Sequence, residues 1–281
     1  MAPQASTELP NPFRFNDGRE VRSPADWPAR RAEIREAIVG IEYGGLPPAP
    51  PEVRGELLHA TTVARFGGAR FQSYRVHCGA ERPFGFLMTV LAPPGEGRFP
   101  VVLTGDACWR YVSDAISAEV LGRGAVLAQF NRVELAPDIY SMDRVSGLYP
   151  VYPDHPFGAL AAWAWGYHRC VDVLAGLEFV DPARIAVVGH SRGGKTALLA
   201  GATDERIALT AANDSGAGGA GCYRFQGPKS ETLADNMRTL AYWYSPRLND
   251  YVGREQDLPF DQHDLKALAA PRALLTCEAL G

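Results

Sequence analysis

The sequence lacks three features that mark particular classes of protein. Its five cysteines form no CxxC pair, so their spacing favours neither a zinc cluster nor a disulfide framework. It has no run of Lys and Arg, and its net charge of -4 argues against nucleic acid or an anionic membrane as a partner. It also has neither an apolar run long enough to cross a bilayer nor the apolar core of a secretory signal. As written, the chain is expected to be cytoplasmic, and export stays open if a leader precedes it.

The length and apolar content of the chain are those of one large globular unit. With 281 residues, of which 46% are hydrophobic, it can bury a single core. We expect residues 1–50 to form a helical segment and connector packed on that core, and residues 51–281 to form the main domain. Ser23 is the expected N-cap of the first helix, in which Ile34, Ile38 and Ile41 recur at helical spacing.

Alternating strand and helix patterns place the chain in the α/β class. An alternating stretch on either side of Gly67 and Gly68 predicts a hairpin. Later apolar runs such as FPVVLT and RIAVVG are separated by helical patterns such as ALAAWAWGYHRCVDVL. Because these strands are apolar on both faces, they predict a mixed, mostly parallel sheet with helices on both faces.

One short motif places a serine on a sharp turn. The apolar strand RIAVVGH runs into a match to G-x-S-x-G, from Gly189 to Gly193, and a helical pattern follows. The glycines leave room for the turn, which lifts the Ser191 hydroxyl out of the sheet. The Arg192 N–H then lies at a helix N-terminus, where an oxyanion is favoured. The motif predicts that Ser191 is a nucleophile, and an incidental serine in a glycine-rich turn is the alternative.

Two carboxylates follow strand ends in the same way as Ser191. Asp214 follows the strand ALTAAN, and Glu278 follows the strand ALLTC. Reactive groups of such sheets collect at the carboxyl ends of the strands, so either carboxylate can hold the far nitrogen of a catalytic histidine. Capping of the SGAGG turn is an equally good interpretation of Asp214. Glu278 is the reserve candidate for the acid.

Several motifs together resemble one enzyme family. GHSRGGK resembles the serine motif G-x-S-R-x-G-K of the carbohydrate esterase family that includes the glucuronoyl esterases. NDSGAGGAGCYR, from Asn213, is similar to the acid-bearing segment of that family, and LPFDQHDLKALAAPRALL, from Leu258, to the segment before its last catalytic loop. AQFNRVELAPD, from Ala128, is a weaker upstream match. The resemblance runs from about Ala159 to the end and implies an α/β-hydrolase fold.

The resemblance also implies roles for individual residues. It makes Ser191 the nucleophile, Asp214 the triad acid at a position that is usually Glu, and Arg192 a part of the oxyanion site. Lys195 and Glu231 match positions that contact sugar hydroxyls, and no metal or organic cofactor is implied. From the residues alone, Arg192 and Lys195 share one helix face, which either points into a cleft or is solvated.

Tryptophans are candidates for contacts with a sugar ring. Four tryptophans are such candidates: Trp109, Trp163, Trp165 and Trp243. Trp163 and Trp165 lie in a dense apolar helix and are expected in the core. Trp243 is therefore taken as a substrate-binding candidate together with Lys195 and Glu231.

The catalytic base has no candidate in the expected place. In this fold the chain order is Ser, acid, His, and only His263 follows Asp214. His263 precedes the strand at Ala273 instead of following a later one, so we expect it to be structural. The chain ends at Gly281 directly after a strand. We therefore expect the last strands and helix to be missing together with the histidine, and the chain as given to be inactive.

These observations predict a serine hydrolase of carboxylic esters that works through an acyl-enzyme. The resemblance implies esters of (4-O-methyl)glucuronate in plant cell-wall polysaccharide as substrates. An acetyl-xylan esterase or small-molecule carboxylesterase of the same fold is one alternative, and a non-catalytic relic of the fold is another. The oligomeric state is left open.

Overall fold

The computed structural model describes residues 8–79, 84–108, 111–140 and 143–278. Eight strands form one sheet: β1 (Glu52–Val63), β2 (Ala69–Gly79), β3 (Phe84–Ala92), β4 (Phe99–Thr104), β5 (Val126–Phe130), β6 (Val180–His190), β7 (Ile207–Asn213) and β8 (Ala273–Cys277). The α-helices are α1 (Trp27–Glu42), α2 (Asp114–Gly122), α3 (Ala159–Leu174), α4 (Arg192–Thr203), α5 (Leu233–Thr239) and α6 (Gln262–Ala267). Short 3-10 helices lie at Ala64–Phe66, Arg132–Glu134, Ala241–Trp243, Pro246–Tyr251 and Glu255–Asp257.

The sheet is mixed, with its parallel part at the carboxyl-terminal side of the chain. The strand order is β1-β2-β3-β5-β4-β6-β7-β8. The first three pairings are antiparallel, and the four pairings from β5 to β8 are parallel. This arrangement confirms the predicted α/β class. It also confirms the hairpin, because β1 and β2 are joined through Gly67 and Gly68, whose φ angles are 62° and 84°.

Helices cover both faces of the sheet. Helices α3 and α4 pack together and join the main core, while α2 packs on β5 over a smaller cluster around Leu91 and Leu127 on the opposite face. Alternation along β5 divides the two sets, since Val126 and Ala128 belong to the main core and Leu127 to the smaller one. Trp163 and Trp165 are almost fully buried in α3, as expected.

The N-terminal helix belongs to the same core as the sheet. Ile34, Ile38 and Ile41 of α1 are buried in the main cluster, which confirms their predicted spacing. The predicted N-cap is wrong. Ser23 lies in a turn in which its N–H and hydroxyl donate to the Asp26 carboxylate, and the helix begins only at Trp27. The competing side-chain hydrogen bond at Asp26 moves the start of the helix.

The sequence also predicts that no segment of the chain crosses a membrane. Within the described ranges, no helix has the length and apolar character needed to span a membrane. The cytoplasmic location stays a prediction.

All five cysteines lie in the described part of the chain and are free thiols; Cys78 and Cys170 are buried, and Cys277 is exposed. Strand β8 lies at one edge of the sheet, where Leu275 is 59% exposed.

Candidate active site

Three neighbouring strands end at one edge of the sheet and bring the candidate residues together. In the parallel register, His190 lies beside Asn213, and Asn213 lies beside Cys277. The next residues along the chain are Ser191, Asp214 and Glu278. These three therefore emerge side by side at the carboxyl edge of the parallel strands, which is the usual place for a site in such a sheet.

Ser191 occupies the strained turn that its motif predicts. Its φ of 55° and ψ of -121° lie where a residue with a Cβ is rarely found. The Ser191 N–H donates to the Asn213 carbonyl at 2.8 Å, and the Ser191 carbonyl accepts from the Lys195 N–H at 3.0 Å. A Cβ at Gly189 would collide with the Gly193 backbone. The turn is thus fixed on both sides, and Ser191 is exposed at its tip.

The Arg192 side chain lies against a carboxylate and an aromatic ring. Its Nη1 donates to both carboxylate oxygens of Asp138, at 3.0 Å each. Its guanidinium carbon lies 4.8 Å from the centre of the Trp243 ring, a cation–π distance. The side chain is 28% exposed and therefore partly open to solvent, and its part in an oxyanion site stays a prediction.

The two candidate acids have different surroundings. Asp214 has a φ of 49°, is exposed, and donates its N–H to the Cys277 carbonyl at 2.6 Å. The Glu278 carboxylate accepts from the Ser215 N–H and hydroxyl at 3.2 and 2.8 Å and from the Gly216 N–H at 3.0 Å. Glu278 therefore braces the loop that carries Asp214. Which of the two orients a catalytic base stays a prediction.

Lys195 is buried and bound inside the protein. Its Nζ donates to the carbonyls of Ser215 at 2.7 Å and Ala217 at 2.5 Å and to Glu231 Oε2 at 3.0 Å. Burial lowers the pKa of the Lys195 ammonium, and the nearby Glu231 carboxylate opposes that shift. A solvated basic face is therefore excluded for Lys195. Its three hydrogen bonds hold the acid loop and the exposed Glu231 in place, and its contact with a sugar stays a prediction.

Trp243 lies beneath the site. The residue is only 2% exposed, and its Nε1 donates to Asp138 Oδ1 at 3.2 Å. Its edge-on contact with Trp163 joins it to the core, with ring centres 6.3 Å apart. The ring thus supports Arg192 from below, and a direct substrate contact by Trp243 stays a prediction. Trp109 lies outside the described residues.

The histidines that could be considered as bases bind elsewhere. His263 Nε2 lies 2.7 Å from the Pro10 carbonyl, at the N-terminal segment. His190 Nδ1 lies 2.9 Å from the Asn213 amide nitrogen. His168 is buried against the Ala200 carbonyl, and burial lowers its pKa to about 4. All six histidines lie within the described ranges, and none of them is hydrogen-bonded to Ser191. These contacts do not measure activity, so the inactivity of the chain stays a prediction.

The structure adds three charged residues that the sequence analysis did not select. Asp106 follows the end of β4, Arg132 follows β5, and Asp138 lies a few residues further on. Burial raises the pKa of the Asp106 carboxyl, while Arg132 and the His190 N–H oppose that shift. Asp106 had the signal of a strand end in FPVVLTGDA, and Asp138 lies in the AQFNRVELAPD match. Neither signal indicated that the two carboxylates converge behind Ser191.

A cavity opens next to these residues. It has a volume of about 300 Å³ and is lined, among others, by Arg144, Tyr149, His155, Phe157, Tyr242 and Tyr244. Tyr242 connects the cavity to the site, because its hydroxyl donates to Asp138 Oδ1 at 2.9 Å. The volume is at the lower end of the range for ligand pockets.

Comparison with known sequences points to one family. The family model for fungal glucuronyl esterases matches residues 79–280. A 4-O-methyl-glucuronoyl methylesterase of Podospora anserina is 35% identical over 284 aligned positions, and the match covers 97% of this chain and 55% of that protein. The chain spans about half to two thirds of the length of the curated relatives it matches.

Solved structures give the same result. A glucuronoyl esterase from Solibacter usitatus is similar with a TM-score of 0.86 at 27% identity, and the match covers 98% of this chain and 80% of that one. A glucuronoyl esterase from Sporotrichum thermophile, solved as a serine-to-alanine mutant with methyl 4-O-methyl-beta-D-glucopyranuronate, has a TM-score of 0.81 at 31% identity, covering 98% and 72%. The resemblance found in the motifs is confirmed, and the chain belongs to the glucuronyl esterase family of α/β-hydrolases.

Proposed function

We propose that this chain carries the nucleophile and oxyanion site of a serine esterase that cleaves esters of (4-O-methyl)glucuronate in plant cell-wall polysaccharide. The observation that carries the proposal is Ser191 on its strained turn, in one row with Asp214 and Glu278 at the sheet edge. The relative solved with a methyl glucuronate derivative supports the substrate class.

The proposed reaction follows from these positions. The Ser191 oxygen attacks the ester carbonyl carbon while a base removes its proton. The Arg192 N–H, at the start of α4, and the Arg192 guanidinium face the negative charge that develops on the carbonyl oxygen. Collapse expels the alcohol, which receives the proton from the base. Water then repeats the attack on the acyl-enzyme and releases the uronic acid and the free serine.

Asp214 is the proposed partner of the base, and Glu278 the residue that braces its loop. Glu278 already accepts three hydrogen bonds from Ser215 and Gly216, so its oxygens are committed to that loop. In the described ranges, none of the six histidines hydrogen-bonds Ser191, so none of them is placed as its activating base. We accordingly expect turnover to be slow unless a base is supplied.

Imidazole in solution can take the place of that base, and this makes the proposal testable. We would measure hydrolysis of benzyl glucuronate by the full chain with and without imidazole, beside Ser191→Ala and Ser73→Ala, a serine in strand β2. Imidazole is expected to raise the rate about tenfold or more in the wild type and in Ser73→Ala, and not in Ser191→Ala.

Each other outcome has a definite meaning. A rate that depends on Ser191 without imidazole would show that the chain holds its own base, and the expected inactivity would be wrong. A strong preference for 4-nitrophenyl acetate over the glucuronate would replace the substrate by simpler esters. A rate that never depends on Ser191, with or without imidazole, would identify a non-catalytic relic of the fold and contradict the proposal.

A further inference from the structure

A fully buried arginine lies behind the nucleophile turn. Arg132 has no exposed surface, and its Nη1 donates to Asp106 Oδ1. Its Nη2 lies 3.6 Å from Asp138 Oδ2, and its guanidinium carbon lies 5.0 Å from the centre of the Trp163 ring. A buried guanidinium without carboxylates would be strongly destabilising, so this cation requires the two acids that flank it.

The two acids connect Arg132 to different parts of the site. Asp106 Oδ2 accepts from the His190 N–H at 2.9 Å, one residue before Ser191. Asp138 accepts from Arg192 Nη1 and also from Tyr242 and Trp243, and its side chain is only 7% exposed. Asp106 thus holds the backbone of the nucleophile turn, and Asp138 holds the Arg192 guanidinium beside that turn.

The charges in this cluster balance. Asp106, Arg132, Asp138 and Arg192 carry two negative and two positive charges. Asp138 lies between two guanidiniums, because it accepts from Arg192 at 3.0 Å and lies 3.6 Å from Arg132. Its charge is therefore shared between them, and it holds Arg192 in one orientation without pairing with that residue alone.

We infer that Asp138 is a positioning residue, which aims the Arg192 guanidinium at the oxyanion, while Arg132 shares its charge and links it through Asp106 to the nucleophile turn. The inference rests on the proposed function and names a residue that acts through Arg192. In this inference Asp138 acts only through Arg192, and not by contact with the reacting atoms. Its effect is therefore expected in kcat, because an oxyanion forms only along the reaction, and not in KM.

The test compares three variants of the full chain in the presence of imidazole. Asp138→Asn keeps an acceptor for Tyr242 and Trp243 but loses the charge that holds Arg192. It is expected to lower kcat for benzyl glucuronate about 10- to 100-fold and to change KM less than about twofold. Tyr242→Phe removes one hydrogen bond from Asp138 and should lower kcat only about two- to fivefold. Asp172→Asn is the matched control, since Asp172 pairs with Arg169 and Arg206, each at 2.5 Å, outside the site.

A second readout follows Arg192 directly and does not depend on turnover. Slow rotation of its guanidinium, seen as resolved Nη–H signals by NMR and assigned with Arg192→Lys, is expected in the wild type and in Asp172→Asn. It should be lost in Asp138→Asn. This readout decides the inference even if the wild type shows no rate that depends on Ser191, a result that would contradict the proposed function alone.

Two results would overturn the inference. In the first, the kcat of folded Asp138→Asn stays within about twofold of wild type, or falls no more than in Asp172→Asn, so that Asp138 serves only the fold. In the second, the Arg192 signals are unchanged in Asp138→Asn, so that other contacts hold the guanidinium.

Discussion

The turn at Ser191 depends on the absence of side chains around it. A φ of 55° costs about 1–3 kcal/mol for a residue with a Cβ, so the surrounding structure must hold it. Position 193 has to be glycine, because a Cβ there would collide with the Asp106 carboxylate. The same carboxylate binds Arg132 and the His190 N–H. The glycine is thus required by a neighbour that is distant in sequence as well as by the turn itself.

Substitution of Gly193 by Ala is expected to destabilise both the turn and the ion cluster. The free energy of unfolding should fall by about 1–3 kcal/mol, because the added methyl group pushes the Asp106 carboxylate off its partners. Urea denaturation of Gly193→Ala measures this change. Gly122→Ala is the matched control, since no atom lies within 4 Å of a Cβ there and alanine favours the helix. Equal stability of the two variants would contradict the prediction.

Glu42 is a buried carboxyl in a polar network away from the site. It accepts from the Tyr223 hydroxyl at 2.9 Å and from Gln262 Nε2 at 2.8 Å. Burial raises the pKa of this carboxyl from its ordinary value of 4.5 to about 7, although both hydrogen bonds oppose the shift. The folded protein therefore binds the Glu42 proton more tightly than the unfolded chain does.

Because of this raised pKa, Glu42 should make stability fall as the pH rises. The loss begins near the unfolded pKa of 4.5 and is complete above about 7, where the folded group also ionises. Between about pH 5 and about pH 8, the wild type should lose about 2–3 kcal/mol more than Glu42→Gln in urea denaturation. Glu36→Gln, an exposed position on the same helix, should follow the wild type. Parallel curves for the wild type and Glu42→Gln would show that the carboxyl titrates normally.

At the scale of elements, Lys195 ties helix α4 to the loop that follows β7. Its ammonium donates hydrogen bonds to the carbonyls of Ser215 and Ala217, which have little access to water. Each carbonyl left without a donor costs about 1–3 kcal/mol, and relief of a buried charge offsets part of that loss. The order of the acid loop thus depends on one side chain from another element.

Lys195→Met is expected to lower the free energy of unfolding by about 2 kcal/mol and to speed amide hydrogen exchange in residues 215–220. Exchange measured by mass spectrometry locates the effect, and denaturation gives its size. The exposed Lys229 provides the control, because Lys229→Met should leave that loop unchanged. Unaltered exchange of residues 215–220 in Lys195→Met would contradict the bracing role.

Some elements were predictable because their signals are local. The strands and the hairpin follow from alternation, apolar runs and glycines, and the nucleophile turn from five consecutive residues. The start of α1 was missed because Asp26 forms side-chain hydrogen bonds that a pattern of apolar spacing does not register. The solvated alternative for Lys195 failed for a related reason, since its partners Ser215, Ala217 and Glu231 lie 20 to 36 positions further along the chain.

At the scale of the whole molecule, α1 and the sheet form one core. Ile38 of α1 is fully buried in the cluster that also holds residues of β3, β4 and β6. Ile38→Ala should therefore lower the free energy of unfolding by about 2–5 kcal/mol and shift one common transition, whether followed by tryptophan fluorescence or by circular dichroism. Ile116→Ala, at a position that is 56% exposed in α2, should change stability by less than about 0.5 kcal/mol. Separate transitions for the two probes would show that α1 unfolds independently.

Local chemistry along the chain was enough to identify the α/β class, the serine turn, the candidate acids at strand ends and the family. Those properties reside in short stretches, where glycine, apolar alternation and a few consecutive side chains define the structure. The roles of Asp106, Arg132 and Asp138 depended on folding, because they come together behind the Ser191 turn only after β4, β5 and β6 line up in an order that differs from their order in the chain. Trp243 joins them from the 3-10 helix Ala241–Trp243. Contacts across 26 to 84 positions form because the sheet brings those strand ends together and buries the charges there, and no short stretch of sequence encodes that proximity.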